Sequence, residues 1–561
     1  MNALNKTLCL VVAVMMMATT ASAQYRFGGM MMDRDGMMAD DMFTLSQVNF
    51  GFGSARSMAM AGAFTSLGAD VASMGINPAG LGMYRSSDVS FTPMMSFNNA
   101  SHNVRSVGEN SQSRFSMSNF ALSLNLYESS RTSLVSLNIG FGYNRVADFN
   151  YNYSFSSQSA PSADPMNGQP YRSILDAFTA QLGVANGGQG LFPTADGLIC
   201  TPANSYFWGG ILAYNNYLID DFEDEFGPYW TTAERIGANA SVGHLGELES
   251  RGSIGEYDFS LGLNVDNKLY FGATLGLQVV DWTRQFFYGE DYIYNGSAAL
   301  DSAGYPLATP ASWMDYNQAV KVEGTGVNLK LGMIYRPVES LRLGVALHTP
   351  TYYSLERRYQ AFMSSNFEPE GFVTDALDDT AENSWDFCSP TRLMFGASYS
   401  FGRFAIISVD YERDWYNGIR VKNIPIGFDL SKDDYKYEIK QNYKGSNTLR
   451  VGAELKPLPM LALRAGYGIS GDALREDKSL YYNSPINYRT TCFSLGLGMA
   501  FGRLTVDLAY QNIKNFQTDY MLYYAENTSA SSVMELFDTA SPMYRTDLTR
   551  NYAILSLGYK F

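Results

Sequence analysis

Alternation of apolar with small or polar residues, sustained from Ser86 to the end of the chain, is the feature that most restricts the fold. Within residues 131–144 the apolar positions are Val135, Leu137, Ile139, Phe141 and Tyr143. A period of two is typical of β-strands that have one apolar face. Since no later stretch approaches twenty consecutive apolar residues, only a closed barrel could cross a membrane.

Fourteen alternating segments can be counted. They cover residues 87–98, 115–127, 131–144, 254–265, 269–279, 327–335, 341–347, 393–399, 405–411, 449–455, 461–467, 493–499, 504–510 and 552–561. Very short turns, such as Asp266-Asn267, alternate with long loops, which is the asymmetry of bacterial outer-membrane barrels. We predict an all-β fold, a 14-stranded antiparallel transmembrane β-barrel over residues 86–561 with its apolar face toward lipid.

Composition agrees with this fold class. Aromatic residues make up 14% of the chain and charged residues only 17%, which is below the usual quarter. The net charge of −15 argues against nucleic acid as a partner. A secreted, multi-domain β protein is the alternative class.

The first 52 residues divide into two parts. Lys6, an apolar run and Ala21-Ser22-Ala23 form a secretory signal with an A-x-A cleavage site, so we predict a signal peptide over residues 1–23. Residues 24–52 are rich in Met and Asp, and we predict a flexible periplasmic N-terminal extension there. Copper(I) capture by the thioethers is the less favoured interpretation, because it requires a defined geometry.

Residues 53–85 differ from everything that follows. They are rich in Ala, Gly and Met and end in Asn77-Pro78-Ala79-Gly80-Leu81. Small residues allow short helical turns to pack closely, and the residue before a proline is disfavoured in the helical region. We predict a compact helical plug that ends in a turn.

This stretch resembles a known family. Gly53-Ser54-Ala55-Arg56, Ala61-Gly62-Ala63, Ala69-Asp70 and the Asn-Pro-Ala-Gly-Leu turn are similar to the N-terminal hatch of the FadL/TodX outer-membrane transporters of hydrophobic compounds. The resemblance implies a helical hatch inside the lumen of a 14-stranded barrel, with Asn77, Pro78, Ala79, Gly80 and Leu81 as its gate. It also implies capture outside and exit through a gap in the wall.

Two further expectations accompany the resemblance. The aromatic C-terminus, Phe561, is similar to the signal read by the barrel assembly machinery, and implies a periplasmic chain end. Some relatives are labelled haemin receptors, which draws attention to His348 with Tyr352 and Tyr353. A haem or metal site needs partners at defined spacing, and the sequence shows none, so we predict no metal and no cofactor.

Two sets of residues are candidates for ligand passage. Gly140 and Gly142 would mark a kink or opening in the wall, since glycine inside a strand often marks a bulge; small-residue packing in the lumen is the alternative. The long extracellular loop, residues 148–252, contains Phe207, Trp208, Tyr214 and Tyr217 at helical spacing. They would form an external capture surface, or else a small core of the loop itself.

Other chemistry is not indicated. The sequence contains no G-x-S-x-G elbow, P-loop or H-E-x-x-H run, so we predict no enzyme. Cys200, Cys388 and Cys492 follow the signal peptide, and an odd number permits one disulfide at most, with Cys200–Cys388 as the candidate pair.

The resulting hypothesis is a hatch-gated outer-membrane channel for passive uptake of hydrophobic small molecules, either long-chain fatty acids or aromatic hydrocarbons. Its partners would be the hydrophobic ligand, outer-membrane lipid and the barrel assembly machinery. The alternatives are a surface or secretion-associated scaffold and a haemin receptor. The character of the lumen distinguishes the transporter from the scaffold. A transporter needs an apolar path to the hatch, whereas a scaffold tolerates a blocked, charge-paired interior.

Overall fold

The structure is a computed structural model. It describes residues 25–28, 36–102, 105–106, 110–159, 173–186, 198–201, 207–224, 227–368, 371–376, 380–425, 431–475, 489–521, 524–527, 537–540 and 543–561. No helix among these residues combines the length and apolar character needed to span a bilayer.

The strands dominate the chain. In order they are β1 (Tyr25–Gly28), β2 (Asp88–His102), β3 (Arg105–Ser106), β4 (Ser111–Glu128), β5 (Leu134–Asp148), β6 (Tyr151–Ser159), β7 (Asp220–Asp224), β8 (Gly227–Thr231), β9 (Ser241–Val265), β10 (Leu269–Ile293), β11 (Ala311–Val338), β12 (Leu341–His348), β13 (Tyr352–Phe367), β14 (Gly371–Ala376), β15 (Ala381–Cys388), β16 (Arg392–Phe401), β17 (Ala405–Trp415), β18 (Arg420–Asn423), β19 (Gly445–Leu458), β20 (Leu461–Ser470), β21 (Thr490–Phe501), β22 (Leu504–Met521), β23 (Tyr524–Asn527), β24 (Phe537–Ala540) and β25 (Met543–Lys560).

The helices are few and short. They are α1 (Ala39–Ser46), α2 (Ala55–Ala59), α3 (Ser73–Ile76), α4 (Ile174–Asn186), α5 (Trp208–Asn215) and α6 (Lys432–Asn442), with 3₁₀ helices at Pro78–Met83 and Tyr416–Gly418.

The strands close into one antiparallel barrel. Fourteen wall strands follow one another in chain order, namely β2, β4, β5, β9, β10, β11, β12, β16, β17, β19, β20, β21, β22 and β25. β25 pairs with β2 to close the ring, Asp88 lying opposite Lys560, so both ends of the barrel lie at the short-turn end. The predicted 14-stranded barrel is confirmed, and its short turns identify the periplasmic end.

The outer face of the wall carries a membrane band. On β10 the outward side chains from Phe271 to Val279 are apolar and, apart from the partly exposed Ala273, exposed; Asp281 is the first charged outward residue above them. An apolar band on an even-stranded, single-chain barrel is the architecture of outer-membrane proteins. The chain is therefore a multi-pass β-barrel of that membrane.

The wall continues far above this band. β9, β10 and β11 contain 25, 25 and 28 residues, whereas crossing a bilayer takes about 9–11. β6 prolongs β5, and Gly252 of β9 lies opposite the break with φ +125°, where a Cβ would overlap the Asp281 carbonyl. The expectation that residues 148–252 form one loop is thus wrong at both ends, because β6 and the upper half of β9 pair with each other and belong to the barrel wall.

The N-terminal segment lies inside the barrel. β1 pairs with β23, which follows β22 on the long-loop side, and residues 36–84 run down the lumen toward the periplasmic end. The prediction of a periplasmic extension over residues 24–52 is wrong for its described part. Met37, Met42 and Leu45 are fully or almost fully buried, so these apolar side chains pack in the barrel core.

Lumen-facing glycines make room for the hatch, which we define as residues 53–84. A Cβ on Gly272 would overlap Pro78, and one on Gly332 would overlap the Asn77 side chain. A Cβ on Gly262 would lie 2.6 Å from the Leu81 Cβ. These three glycines are direct cross-strand neighbours on β9, β10 and β11. The wall therefore presents bare backbone where the turn lies against it.

Gly272→Val tests this close approach. We expect the barrel to assemble but the hatch to be displaced, at a cost of about 1–3 kcal/mol, because neither partner backbone can yield to a side chain. Hydrogen exchange of residues 79–83 should be faster than in the wild type. Gly243→Ala is the matched control, since its Cβ would lie 3.5 Å or more from any neighbour. Unchanged exchange of these residues in a folded Gly272→Val barrel would contradict the close contact.

Candidate functional site

The predicted gate residues form one turn between α3 and the 3₁₀ helix Pro78–Met83. Pro78 occupies the first position of the 3₁₀ helix, where its missing N–H is not needed. The Asn77 Oδ1 accepts from the Ala79 N–H at 3.2 Å, and the Gly80 N–H donates to the Asn77 carbonyl at 3.0 Å. Sequence and local geometry together explain why the chain turns here.

Asn77 also bonds the turn to its surroundings. Its Nδ2 donates to the carbonyl of Thr65 at 2.6 Å, Val345 at 3.3 Å and Met333 at 3.4 Å. The side chain is buried, with 1% exposed. One amide thus connects two parts of the hatch with β11 and β12.

His348 on β12 makes the adjacent connection. Its ring Nε2 lies 2.9 Å from the Ile76 carbonyl, the last residue of α3. Tyr353 bonds Gln278 and the Leu45 carbonyl, and Tyr352 faces outward and donates to Asp386 at 3.0 Å. The three residues considered for haem therefore point to different places and do not form one axial site.

Other wall strands hold the rest of the hatch. The Ala55 N–H donates to Ser556 at 2.7 Å, the Thr65 N–H to Asp410 at 2.7 Å and the Ala61 N–H to Ser494 at 3.0 Å. Arg342 donates to the Leu67 carbonyl at 2.7 Å and Ser136 to the Gly82 carbonyl at 2.9 Å. Backbone groups that no helix satisfies are satisfied by the barrel.

An ion-pair cluster secures α2. Arg56 pairs with Glu454 of β19 at 2.9 Å, and the same carboxylate accepts from Arg464 at 2.7 Å. Arg464 in turn reaches Asp507 of β22 at 2.5 Å. Glu454 and Arg464 are nearly fully shielded, and Arg56 and Asp507 are 18% and 16% exposed, so the cluster binds the hatch to three strands where water screens the charges only partly.

The lumen above the hatch is filled and charge-paired. Lys330 lies between Glu256 and Asp258, the latter at 3.2 Å, and Asn144 donates to Asp258 at 2.7 Å. A second cluster joins Arg392, Arg450, Glu412 and Asp414, with Arg450–Glu412 at 2.6 Å and Arg392–Asp414 at 2.8 Å. The described lumen is therefore closed to an aqueous pathway.

Helix α1 forms an upper plug, defined here as residues 37–48. Asp41 is fully buried and pairs with Arg284 at 2.9 Å and with Arg357 at 3.1 Å. Phe43 stacks on Tyr443 with ring centroids 4.6 Å apart. Sequence reasoning missed this plug; the signal was the inward parity of Arg284 and Arg357, which required a lumenal counter-charge.

Gly140 and Gly142 lie in a regular ladder. They pair with Ser123 and Ala121 on one side and with Ser260 and Asp258 on the other. The nearest register shifts fall between Asn125 and Tyr127 of β4, next to Asn138, and between Arg145 and Ala147 of β5. A Cβ on Gly140 would lie 2.7 Å from the Met74 Cε. The glycines thus receive a hatch side chain, and the wall opening stays a prediction.

The opposite face of the same wall patch is concave. An apolar depression of ≈ 600 Å³ opens toward lipid. Its lining residues are Leu122, Leu124, Ile139, Gly140, Phe141, Phe259, Ser260, Leu261, Ala273, Leu275 and Leu329. On the lumen side, Val71, Met74, Leu81 and Tyr84 form an apolar cluster with Ala121. The wall at Gly140 therefore separates two apolar surfaces.

Comparison with solved structures identifies the fold. A Pseudomonas aeruginosa FadL homologue matches with a TM-score of 0.50 and 13% identity, over 91% of this chain and 100% of the other. The chain has a FadL-type barrel fold. The Pseudomonas putida toluene transporter TodX gives 0.47 and 13% over 91% and 99%, and the Ralstonia pickettii toluene transporter TbuX gives 0.46 and 15% over 91% and 99%. No protein-family model and no curated protein sequence matches.

The residues predicted for external capture on this FadL-type barrel do not share a surface. Trp208 is fully buried and stacks on Tyr359 of β13, with centroids 5.3 Å apart. Phe207 and Tyr214 are partly buried against the core, and Tyr217 is the exposed member at 59%. The prediction that Trp208 belongs to an external capture surface is wrong, because α5 packs into the barrel mouth. Burial of Trp208 agrees with the alternative interpretation, in which these residues form a core of the loop.

The predicted disulfide is absent. No disulfide joins the described cysteines Cys200, Cys388 and Cys492. Cys200 packs against the buried core in the barrel mouth, whereas Cys388 alternates with inward Phe387 and faces outward from β15. The wall separates the two candidate partners. Among the described residues no group of His, Cys, Asp and Glu could hold a metal ion.

A buried carboxylate anchors α4 above the membrane band. Glu290 accepts from the Ile174 N–H at 2.8 Å, and from the hydroxyls of Ser173 at 2.5 Å, Tyr288 at 2.6 Å and Tyr292 at 3.0 Å. His244 lies 3.7 Å away and bonds Tyr288 at 2.7 Å. Burial outweighs the four donors and raises the pKa of Glu290 to about 7, and burial lowers the pKa of His244 to about 4.

These shifts predict a pH-dependent anchor. Glu290 keeps its proton to about pH 7 in the folded state but loses it near pH 4.5 when released, so the anchor should weaken as pH rises across that interval. Because burial keeps His244 neutral in the folded state, the anchor also weakens as pH falls from about 6.5 toward 4. Hydrogen exchange of residues 174–186, corrected for the intrinsic rate, should quicken from pH 6 to 7.5, and Glu290→Gln should remove that slope. An equal pH dependence of exchange in the wild type and in Glu290→Gln would refute the assignment of the pH-dependent anchor to Glu290.

Proposed function

We propose that this barrel admits hydrophobic small molecules through the outer membrane, by displacement of the hatch and lateral exit at the wall near Gly140. The observation that carries the proposal is the wall patch with apolar surfaces on both sides, the Met74 cluster within and the lipid-facing depression outside. An apolar solute is stabilised by roughly 25 cal/mol for each Å² removed from water. The patch offers such a solute a route that the charged lumen does not.

The FadL-type fold and the hatch motif support the same function. Long-chain fatty acids and aromatic hydrocarbons are the substrate classes that the family resemblance implies. Asn77 would be the gate residue, because its amide carries the bonds between the turn and β11 and β12. Movement of the turn would withdraw Met74 and Leu81 from the wall together.

The closed lumen requires two movements. The upper plug and the hatch both fill the barrel, so a solute entering from outside must displace α1 before it reaches Met74. Both parts are held by ion pairs and hydrogen bonds as well as by buried apolar side chains such as Met42, Leu45 and Met74. The polar contacts can be exchanged one at a time, and an apolar ligand can replace the apolar ones, which a ligand-driven opening needs.

A surface scaffold is the second candidate. The blocked, charge-paired lumen favours it. The other feature expected of a scaffold, an exposed apolar patch on the long loop, is not matched by Trp208, which is buried. A haemin receptor is less favoured, because the His348 ring already bonds the hatch.

A reversible lock between hatch and wall separates these functions. The Met60 Cβ lies 2.8 Å from a Cβ built on Gly452, and about 1 Å of adjustment would reach disulfide spacing. We would place Met60→Cys and Gly452→Cys in a background with Cys200, Cys388 and Cys492 replaced. Uptake of labelled oleate and toluene into cells should be lost on oxidation and restored by a reductant.

Single-cysteine variants at equal outer-membrane levels are the controls, and they should transport under both conditions. If cells with the wild-type barrel take up neither probe faster than cells without it, the transport function is refuted. If uptake occurs but ignores the closed disulfide, the hatch is not the gate.

The upper plug gives an independent prediction. Asp41→Asn removes the carboxylate that Arg284 and Arg357 both face, and breaking a buried pair costs about 3–5 kcal/mol. We expect α1 to leave the lumen, so that hydrogen exchange over residues 39–46 quickens while the barrel stays folded.

Glu382→Gln is the matched control, since it breaks a pair with Arg358 at 3.1 Å that is about half exposed. That variant should exchange like the wild type. Wild-type protection of α1 in Asp41→Asn would show that the ion pair does not hold the plug.

A further inference from the structure

The upper wall bears an outward-facing slot unrelated to the lumen. Ala319 and Asn317 of β11 form its floor. Ala319 pairs with Gln285 of β10 and Gln360 of β13, and Asn317 pairs with Phe287 and Phe362 on the same two strands. Each side of the slot therefore repeats one glutamine and one phenylalanine.

Strand spacing fixes the width. β10 and β13 flank β11, so the two phenylalanine positions stand about 10 Å apart. Because Ala319 is small, the space between the glutamines is open, and the depression measures ≈ 780 Å³. This width and volume admit one six-membered ring over Ala319, between the two glutamines and beside the two phenylalanines.

The polar groups of the slot face solvent. Gln285, Gln360 and Glu247 are exposed, and Phe287, Asn317 and Phe362 are partly exposed. Gln360 donates to Thr380 at 2.6 Å, which holds one wall of the slot in place. Amides offer both donors and acceptors to a ligand, while the rings offer apolar area.

The charge around the slot restricts the ligand further. Its described lining contains Glu247 and Glu249 and no Lys or Arg. The cations one row lower are engaged, Lys321 with Glu323 at 2.8 Å and Arg358 with Glu356 at 2.8 Å. An anionic ligand would be repelled, and a purely apolar one would leave the amides unsatisfied.

We propose that this slot binds an uncharged sugar ring, held over Ala319 beside Phe287 and Phe362 with its hydroxyls on Gln285, Asn317 and Gln360. A pyranose ring has apolar C–H faces and a rim of hydroxyls that both donate and accept, which matches this arrangement. The slot lies above Asp281, where the apolar band has ended, and therefore at the level of outer-leaflet carbohydrate. The ligand is either a free oligosaccharide or the headgroup of a neutral glycolipid.

Binding can be tested on the full-length barrel in phosphatidylcholine nanodiscs. Titration calorimetry with maltoheptaose, cellohexaose and mannohexaose covers the free sugars, and co-flotation with vesicles containing a glucosyl lipid covers the glycolipid. Phe287→Ala with Phe362→Ala should weaken binding about tenfold or more, and Ala319→Trp, which fills the floor, should abolish it.

Tyr305→Ala is the matched control, because Tyr305 is 70% exposed on another loop, and it should bind like the wild type. Since all altered side chains face outward, heat-modifiable mobility on gels should confirm folding of each variant. Failure of every sugar and the glycolipid to bind, or binding unchanged by Ala319→Trp, would overturn the proposal. Slot-dependent binding of N-phenyl-1-naphthylamine instead of sugar would also overturn it. None of these outcomes depends on transport.

Discussion

Satisfaction of backbone polar groups in a lumen packed with protein is the constraint on which the structure depends. The hatch contains only short helical turns, so most of its N–H and C=O groups lack helical partners. Wall side chains such as Ser556, Ser494 and Asp410 accept from hatch N–H groups, and the Asn77 side chain of the hatch donates to backbone carbonyls of β11 and β12. Glycines such as Gly272 and Gly332 permit this because a Cβ at either would hold the hatch away from the wall.

The lumenal charges extend the same logic upward. An arginine inside the barrel is costly unless it is paired. The inward arginines discussed above face a carboxylate, except Arg342, which donates to the Leu67 carbonyl. Arg56 joins the hatch to Glu454, and Arg357 joins the wall to Asp41 of the upper plug. The plug segment is thus part of the charge balance of the barrel, and removing it would leave wall arginines without these carboxylates.

Much of this could be predicted from sequence, because strand periodicity is local. The alternation in residues 131–144 and 269–279 gave the strand number and the inward face, and the hatch motif gave the turn at Asn77. The position of residues 36–52 could not be read locally: a Met-rich segment is equally compatible with a tail and with a core, and Asp41 makes sense only beside Arg284 and Arg357. The height of the wall was missed because the outward residues of β9 to β11 become polar above Asp281.

That polar upper wall changes what the outside of the barrel can do. Within the membrane band, outward side chains must be apolar, so chemistry there is restricted to lipid and apolar solutes. Above Asp281 the same strands present Gln285, Phe287 and Asn317 to water on a rigid, hydrogen-bonded sheet. Sites on strands are held more precisely than sites on loops. Extending the wall therefore gives this barrel an external recognition surface that is geometrically independent of its plugged lumen, and the two can be altered separately.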